Sequence, residues 1–360
     1  MKKIVNVIYI NFLLIFIATI IAELIFGGWI GDNYGVLVIP KDFKRRFDVK
    51  ELYTRDHSII DYRRDKNGLR GSDTDPETID ILAVGGSTTN ELFVDDTETW
   101  TAVLQNLFQS NGMQIKVVNG GVDGQSTIGH IANFDYWYPK IEKFKPRYIL
   151  FYVGINDTAI TKSGYLSKQD RLINPQKLIK QYIMNNSAIY TLFRNVRGIV
   201  RARKANLIQH TKSFNGYKWS SAATQPNFEI ARLRYRDELN AYSRRLQLLI
   251  KRTRSLGAVP IIVTQHDATY RLRGNRVLGR ITNNGGIDFG NYVILAVHNY
   301  VAMLECKKAE AICIDLFSYT RFRDGDHYDS VHTTPQGSLK IGNFLFRELK
   351  EKIQLAPIDN

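Results

Sequence analysis

The sequence predicts an α/β protein: a three-layer α/β/α sandwich around a central, mostly parallel sheet, plus one N-terminal transmembrane helix. Three observations support this. Five short apolar runs alternate with longer helical stretches, as in a parallel sheet covered on both faces by its crossovers. The composition is that of a folded chain, with 44% hydrophobic, 23% charged and 11% aromatic residues among 360. An apolar stretch runs from Ile4 to about Phe26. At ~1.5 Å per helical residue it is long enough to cross a hydrocarbon layer of ~30 Å.

Residues 1–30 read as a signal anchor. Met1-Lys2-Lys3 precedes the apolar stretch, Ala22-Glu23-Leu24 is a poor cleavage site, and apolar character continues to Phe26 and Trp29. Lys2 and Lys3 favour a cytoplasmic N-terminus. Lys41, Lys44, Arg45 and Arg46 lie on the far side, but long domains cross largely regardless of charge, so the body of the chain is expected outside the cytoplasm. Residues 31–78 form a polar, irregular lead-in with turn signals at Asn67-Gly68 and Arg70-Gly71.

The main domain is expected over residues 79–355. Its predicted strands are Ile79 to Val84, Ile115 to Val118, Tyr148 to Val153, Val259 to Thr264 and Ala311 to Leu316. The first three are closed by Gly85-Gly86, Asn119-Gly120-Gly121 and Gly154. Helices are expected over about 97–109, capped by Asp95, Asp96 or Thr97, and over 129–138, 230–256, 289–309 and 335–353. An insertion at about 160–229, basic and rich in Tyr and Asn, interrupts the alternation as a lid or docking surface.

Nine prolines and 26 glycines exclude a collagen-like or low-complexity chain, and two cysteines cannot build a disulfide framework or a four-thiolate zinc site. Cys306 and Cys313 could pair in an oxidising compartment, though two small buried thiols is the plainer expectation. The net charge of +14 suits nucleic acid, an anionic membrane or an acidic polymer, but equally a solvated surface. No zinc-finger, RNA-recognition or heptad pattern accompanies it, which argues against nucleic acid. No cofactor is expected.

Ligand chemistry in parallel sheets gathers beyond the C-terminal strand ends. Four segments there suit acyl transfer. Ser87 follows Gly85-Gly86 and precedes a helix, so its hydroxyl is open and backbone N–H groups can face a developing anion. The segment Asn119 to Thr127 holds Gly124, whose N–H can approach an oxygen without a Cβ in the way. Gly154-Ile155-Asn156-Asp157 offers the Asn156 amide as a neutral oxyanion donor. In Asp329-Ser330-Val331-His332 the carboxylate can hold the imidazole in one tautomer and support its cation. Each has a plainer reading alone: a turn, a loop, a helix cap and an acidic surface. A metal site from Asp324, Asp326, His327 and His332 matches no known ligand spacing.

Together, the order Ser, Gly, Asn, then Asp-x-x-His over residues 79–350 resembles the SGNH hydrolases, also called the GDSL esterase/lipase superfamily. The resemblance implies a flavodoxin-like fold, with Ser87 as nucleophile, His332 as general base and Asp329 as its orienting acid. It also implies an oxyanion hole from the N–H groups of Ser87 and Gly124 and the Asn156 amide. Two features depart from the pattern: Gly86 stands where the family usually has Asp, and Thr333-Thr334-Pro335 displaces the proline that usually follows the histidine. The α/β-hydrolase turn Gly-x-Ser-x-Gly fits less well, since Thr89 replaces its final glycine. A phosphate-binding loop is excluded because no lysine follows the glycines.

The expected function is thus a serine esterase that removes or transfers O-acyl groups, acetyl foremost, on cell-envelope or exported polysaccharide. The lead-in also resembles membrane-anchored bacterial members, which implies a single-pass protein of the cytoplasmic membrane facing outward. The alternative is a non-catalytic envelope protein that binds glycan or partner subunits on the same scaffold.

Overall fold

The computed structural model describes residues 2–27, 29, 37, 39–164, 166, 183, 186–190, 216–222, 226–274 and 276–353. The chain divides into two compact units: Met1–Val38 with Arg171–His210, and Ile39–Asp170 with Thr211–Asn360. Most of the insertion expected at 160–229 lies outside the described residues.

In the first unit, α1 (Lys2–Phe26) is a single helix. Its Val5–Phe26 portion has a mean hydropathy of 2.4 and is long and apolar enough to cross a membrane. Near its end the Glu23 carboxylate accepts hydrogen bonds from Ser187 Oγ at 2.6 Å and from the Ala188 and Ile189 N–H groups at 2.9 and 3.2 Å. Residues of the insertion therefore meet the apolar helix at its one acidic side chain among those described.

In the second unit, β1 (Phe43–Asp48) and β2 (Ile59–Arg64) form an antiparallel hairpin within the lead-in. Then β3 (Ile81–Gly85) runs into α2 (Ser87–Asn90) and α3 (Trp100–Ser110). The cap of α3 is Thr99, whose hydroxyl accepts from the Ala102 N–H at 3.2 Å, and not Asp95, Asp96 or Thr97 as the sequence suggests. Asp96 is instead drawn away by Arg63 and Arg70. Next come β4 (Val117–Asn119), α4 (Thr127–Tyr136), β5 (Tyr148–Tyr152), α5 (Ile155–Ser163) and the short β6 (Trp219–Ser220).

The helix expected over 230–256 is two, α6 (Phe228–Arg234) and α7 (Arg236–Ser255), broken at Tyr235 where no Gly or Pro marks the break. After β7 (Val259–Val263), strands β8 (Arg271–Arg273), β9 (Arg276–Ile281) and β10 (Ile287–Asp288) join β6 in a small antiparallel sheet. The chain closes with α8 (Tyr292–Lys308), β11 (Ile312–Ile314), α9 (Leu316–Tyr319) and α10 (Pro335–Leu349). A disulfide joins Cys306 of α8 to Cys313 of β11, so these are not the free thiols that the sequence favoured.

The central sheet has the order β4-β3-β5-β7-β11, and every pair in it is parallel. That is the flavodoxin-like order, with its switch point between β3 and β5. Every residue of β3 and β5 is buried, which explains why these strands read as continuous apolar runs. On one face Ile81, Ala83 and Leu150 pack with Trp100, Leu104 and Phe108 of α3 and Ile341, Phe344 and Leu345 of α10. Helices α7 and α8 pack together and against β7.

Two buried arginines tie the lead-in to this sheet. Arg64 donates to Asn90 Oδ1 at 2.8 Å and to the carbonyls of Gly68 and Gly121, both at 2.6 Å. Arg70 donates to the carbonyls of Asn90, Glu91 and Val94 and pairs with Asp96. Five donors in a planar fork suit this gathering of carbonyls. We predict that Arg70→Met destabilises the protein by ~3–5 kcal/mol, because it leaves Asp96 and the carbonyls underpaired in the interior. Chemical denaturation checks this; a loss below about 1 kcal/mol would show that solvent replaces the guanidinium.

Candidate active site

The turn after β3 places Ser87 at the first position of α2, preceded by Gly86 with φ −84° and ψ −146°. His332 comes from the loop between α9 and α10. The Ser87 hydroxyl lies 2.8 Å from His332 Nε2, joining residues 245 positions apart. His332 Nδ1 lies 2.6 Å from Asp329 Oδ2. An ionised carboxylate can only accept, so the ring carries its proton on Nδ1 and Nε2 accepts from the serine. The other Asp329 oxygen accepts from the N–H groups of Val331 and His332 at 2.8 and 2.7 Å. Burial raises the Asp329 pKa, but the hydrogen bonds and charge of His332 and these two N–H groups outweigh it, so it is held below the usual range. Tyr328 stacks almost parallel on the His332 ring, with centroids 5.6 Å apart at 11°.

The turn after β5 supplies Asn156. Gly154 has φ 133°, which favours glycine, and lets the chain turn straight into α5. The Asn156 amide donates to the Gln125 carbonyl at 2.7 Å. It also lies directly beside Gly86: a Cβ on that glycine would stand 2.3 Å from Asn156 Nδ2. An amide nitrogen has two hydrogens, so one remains for a substrate oxygen. Gly124 has φ 75° in the turn after β4, next to Gln125. A narrow recess of about 10 Å³, room for about one water, is lined by Ser87, Gln125, His130, Asn156 and Gln265 among others.

Several supporting residues escape sequence reasoning. Gln265, just beyond β7, accepts from the Ile155 N–H at 2.7 Å and donates to Thr88 Oγ1 at 3.0 Å. It thereby links the neighbour of Asn156 to the neighbour of Ser87. Asn299 of α8 holds Gln265 by two hydrogen bonds to its backbone. Asp157 accepts from Thr127 and Arg245, which fixes the start of α5 against α4. The only signal for Gln265 in the sequence is its place at the end of a strand.

The residues weighed for a metal do not converge. Asp324 pairs with Arg271, Asp326 with Lys340, and His332 is engaged by Ser87 and Asp329. Among the described residues no group of three or more His, Cys, Asp or Glu could hold an ion.

His327 lies buried beside His266, with ring centroids 6.2 Å apart, and its backbone pairs with Thr333. Burial first, and then the charge of Arg271, push its pKa down to about 3. The folded protein therefore keeps His327 neutral where the unfolded chain would protonate it. Nothing is lost above pH 6.5; below it, stability falls by up to about 1.4 kcal/mol per pH unit. Denaturation at pH 7 and pH 5 should show a loss that His327→Gln reduces; an equal loss in the variant would assign the acid sensitivity elsewhere. We further predict that Gly86→Ala lowers kcat by about tenfold or more, because the new Cβ must displace the Asn156 amide. Besides that side chain, the Gln125 carbonyl oxygen, 3.2 Å from the new Cβ, has to give slightly, so the melting temperature should fall a little while kcat falls far more. Unchanged turnover would mean that the amide position does not matter.

The sequence matches the GDSL-like Lipase/Acylhydrolase family over residues 81–345. No curated protein matches the chain. Similar solved structures include TesA, at 14% identity over 76% of this chain and 99% of that one, with a TM-score of 0.41. Another is the psychrotrophic esterase EstA from Pseudoalteromonas sp., at 12% identity over 76% and 97%, with a TM-score of 0.42. The acetyl xylan esterase AlAXEase matches at 11% identity over 75% and 98%, also with a TM-score of 0.42. With a parallel flavodoxin-like sheet and a family match over most of its length, the chain belongs to the GDSL-like lipase/acylhydrolase family and is an ester hydrolase.

Proposed function

We propose that this hydrolase works by serine acyl transfer, with Ser87 as nucleophile, His332 as general base and Asp329 orienting the base. The observation that carries this reading is the continuous hydrogen-bond relay from Asp329 through His332 to Ser87, at 2.6 and 2.8 Å. As Ser87 Oγ attacks the ester carbonyl, its proton passes to His332 Nε2, and Asp329 stabilises the resulting imidazolium. The carbonyl electron pair moves onto oxygen, which is met by the Ser87 and Gly124 N–H groups and the Asn156 amide. Collapse expels the alcohol, which takes the proton from His332. Water, activated by the same imidazole, then releases the acid; a sugar hydroxyl in its place would give transfer. The face of Tyr328 lies against the ring that becomes cationic and favours that charge.

The substrate we propose is an O-acylated, foremost O-acetylated, polysaccharide of the cell envelope or an exported one. The recess beside Ser87 leaves no space for a long chain on that side, which supports a small acyl group. An apolar first helix and a net charge of +14 support a membrane-held protein that acts on anionic glycan. The Cys306–Cys313 disulfide supports placing the catalytic unit outside the bacterial cytoplasm, since such bonds persist in oxidising compartments.

The test uses the full-length protein in detergent. A fluorophosphonate should label the wild type at Ser87, and Ser87→Ala should neither label nor hydrolyse p-nitrophenyl acetate above background. Asn156→Ala should lose ~10²–10³ in turnover and retain the remainder. Full esterase activity in Ser87→Ala, or no adduct on the wild type, would overturn the assignment; the latter would favour a glycan-binding scaffold. Release of acetate from acetylated glycans, but not of octanoate from the matching ester, would support the substrate class.

A further inference from the structure

Glu91 immediately follows α2 and has no place in the relay, yet it bonds both Ser87 and the residue after His332. Its backbone is left-handed, with φ 51° and ψ 52°, a region that residues with side chains rarely occupy. In that conformation its N–H donates to the Ser87 carbonyl at 2.7 Å. Its side chain is buried between the start of α3 and the segment from Thr333 to Ser338. One carboxyl oxygen accepts from Thr333 Oγ1 at 2.7 Å and Ser338 Oγ at 2.5 Å; the other accepts from the Trp100 N–H at 2.8 Å. Thr333 is the residue after His332, and Ser338 lies in the first turn of α10.

A carboxyl group removed from water is costly, and burial pushes this one up to about 7 against the pull of Ser338, Thr333, Trp100 and Arg70. A simple turn would need neither that burial nor a side chain at positive φ. One residue holds the backbone of the serine turn through its N–H and the Thr333 side chain of the histidine loop through its carboxyl, across 242 positions of sequence. Sliding between these two segments would open the gap from Ser87 to His332, which only a single hydrogen bond of 2.8 Å spans directly.

We propose that Glu91 is a positioning residue for the reaction: its hydrogen bonds to Thr333 and Ser338 fix the histidine loop at reacting distance from Ser87. The proposal rests on the reading of Ser87 and His332 as nucleophile and base. It does not require Glu91 to touch substrate.

Three variants of the full-length protein test it with p-nitrophenyl acetate and a fluorophosphonate. Glu91→Gly accepts the left-handed backbone and removes the carboxyl. Glu91→Gln keeps the shape: the two hydroxyls can rotate to accept from its amide while the Trp100 N–H donates to its oxygen. Thr333→Val removes only the donor beside His332 and keeps its volume. Glu91→Gly should lower kcat about tenfold or more, with KM changed less than about twofold, and slow labelling of Ser87 in proportion. Glu91→Gln should restore most of the rate, and Thr333→Val should fall in between. A purely structural role would lower the melting temperature and leave kcat of the folded fraction intact, and that result overturns the proposal. So does Glu91→Gln performing no better than Glu91→Gly. If Glu91→Gly does not fold, Thr333→Val decides, and wild-type kcat in that variant overturns the proposal. Absence of label on the wild type would instead sink the serine assignment; a labelled wild type with an unimpaired Glu91→Gly sinks only the role of Glu91.

Discussion

A hydrogen bond of 2.8 Å between Ser87 and His332 has to be maintained between the first residue of α2 and a loop 245 residues further along the chain. Much of the polar interior serves that constraint. The serine turn is fixed from below by β3 and from the side by Trp100, whose indole N–H donates to the Thr88 carbonyl. The histidine loop is fixed by Asp329, which grips the ring with one oxygen and the loop backbone with the other. Rotamer freedom is thereby removed from both partners before substrate arrives, as the role proposed for the Ser87 hydroxyl requires.

The lead-in is part of the same construction. Arg70 reaches into the interior and satisfies the carbonyls of Asn90, Glu91 and Val94, and Arg64 satisfies those of Gly68 and of Gly121 in the turn after β4. Those carbonyls belong to irregular backbone that no strand or helix can pair, and buried groups of that kind must find donors. Guanidinium groups supplied from outside the sheet meet the need. Gln265 does the equivalent on the other side, where the turns after β3 and β5 come together.

How much of this can be read in the sequence follows from the physics of each part. Strands buried on both faces are apolar throughout, so β3, β5 and β7 stand out, and the glycines after β3 and β5 mark the turns that carry Ser87 and Asn156. The Asp329 to His332 spacing is local and equally visible. Arg64, Arg70, Glu91 and Gln265 are not, because a charged or amide side chain reads as surface until its partners are known. The small sheet of β6, β8, β9 and β10 is built from strands of two to six residues with several arginines, and has too little apolar alternation to register. The break at Tyr235 leaves no trace because no helix-breaking residue makes it.

Glu23 carries a practical consequence for anyone who would prepare a soluble version by trimming away the first helix. Three donors from residues 187–189 rest on that one carboxylate. A truncation starting near residue 30 would strip their acceptor as well as the hydrophobic segment. Whatever altered behaviour such a fragment showed in the neighbourhood of residue 187 would then reflect a missing counterpart rather than the native chain.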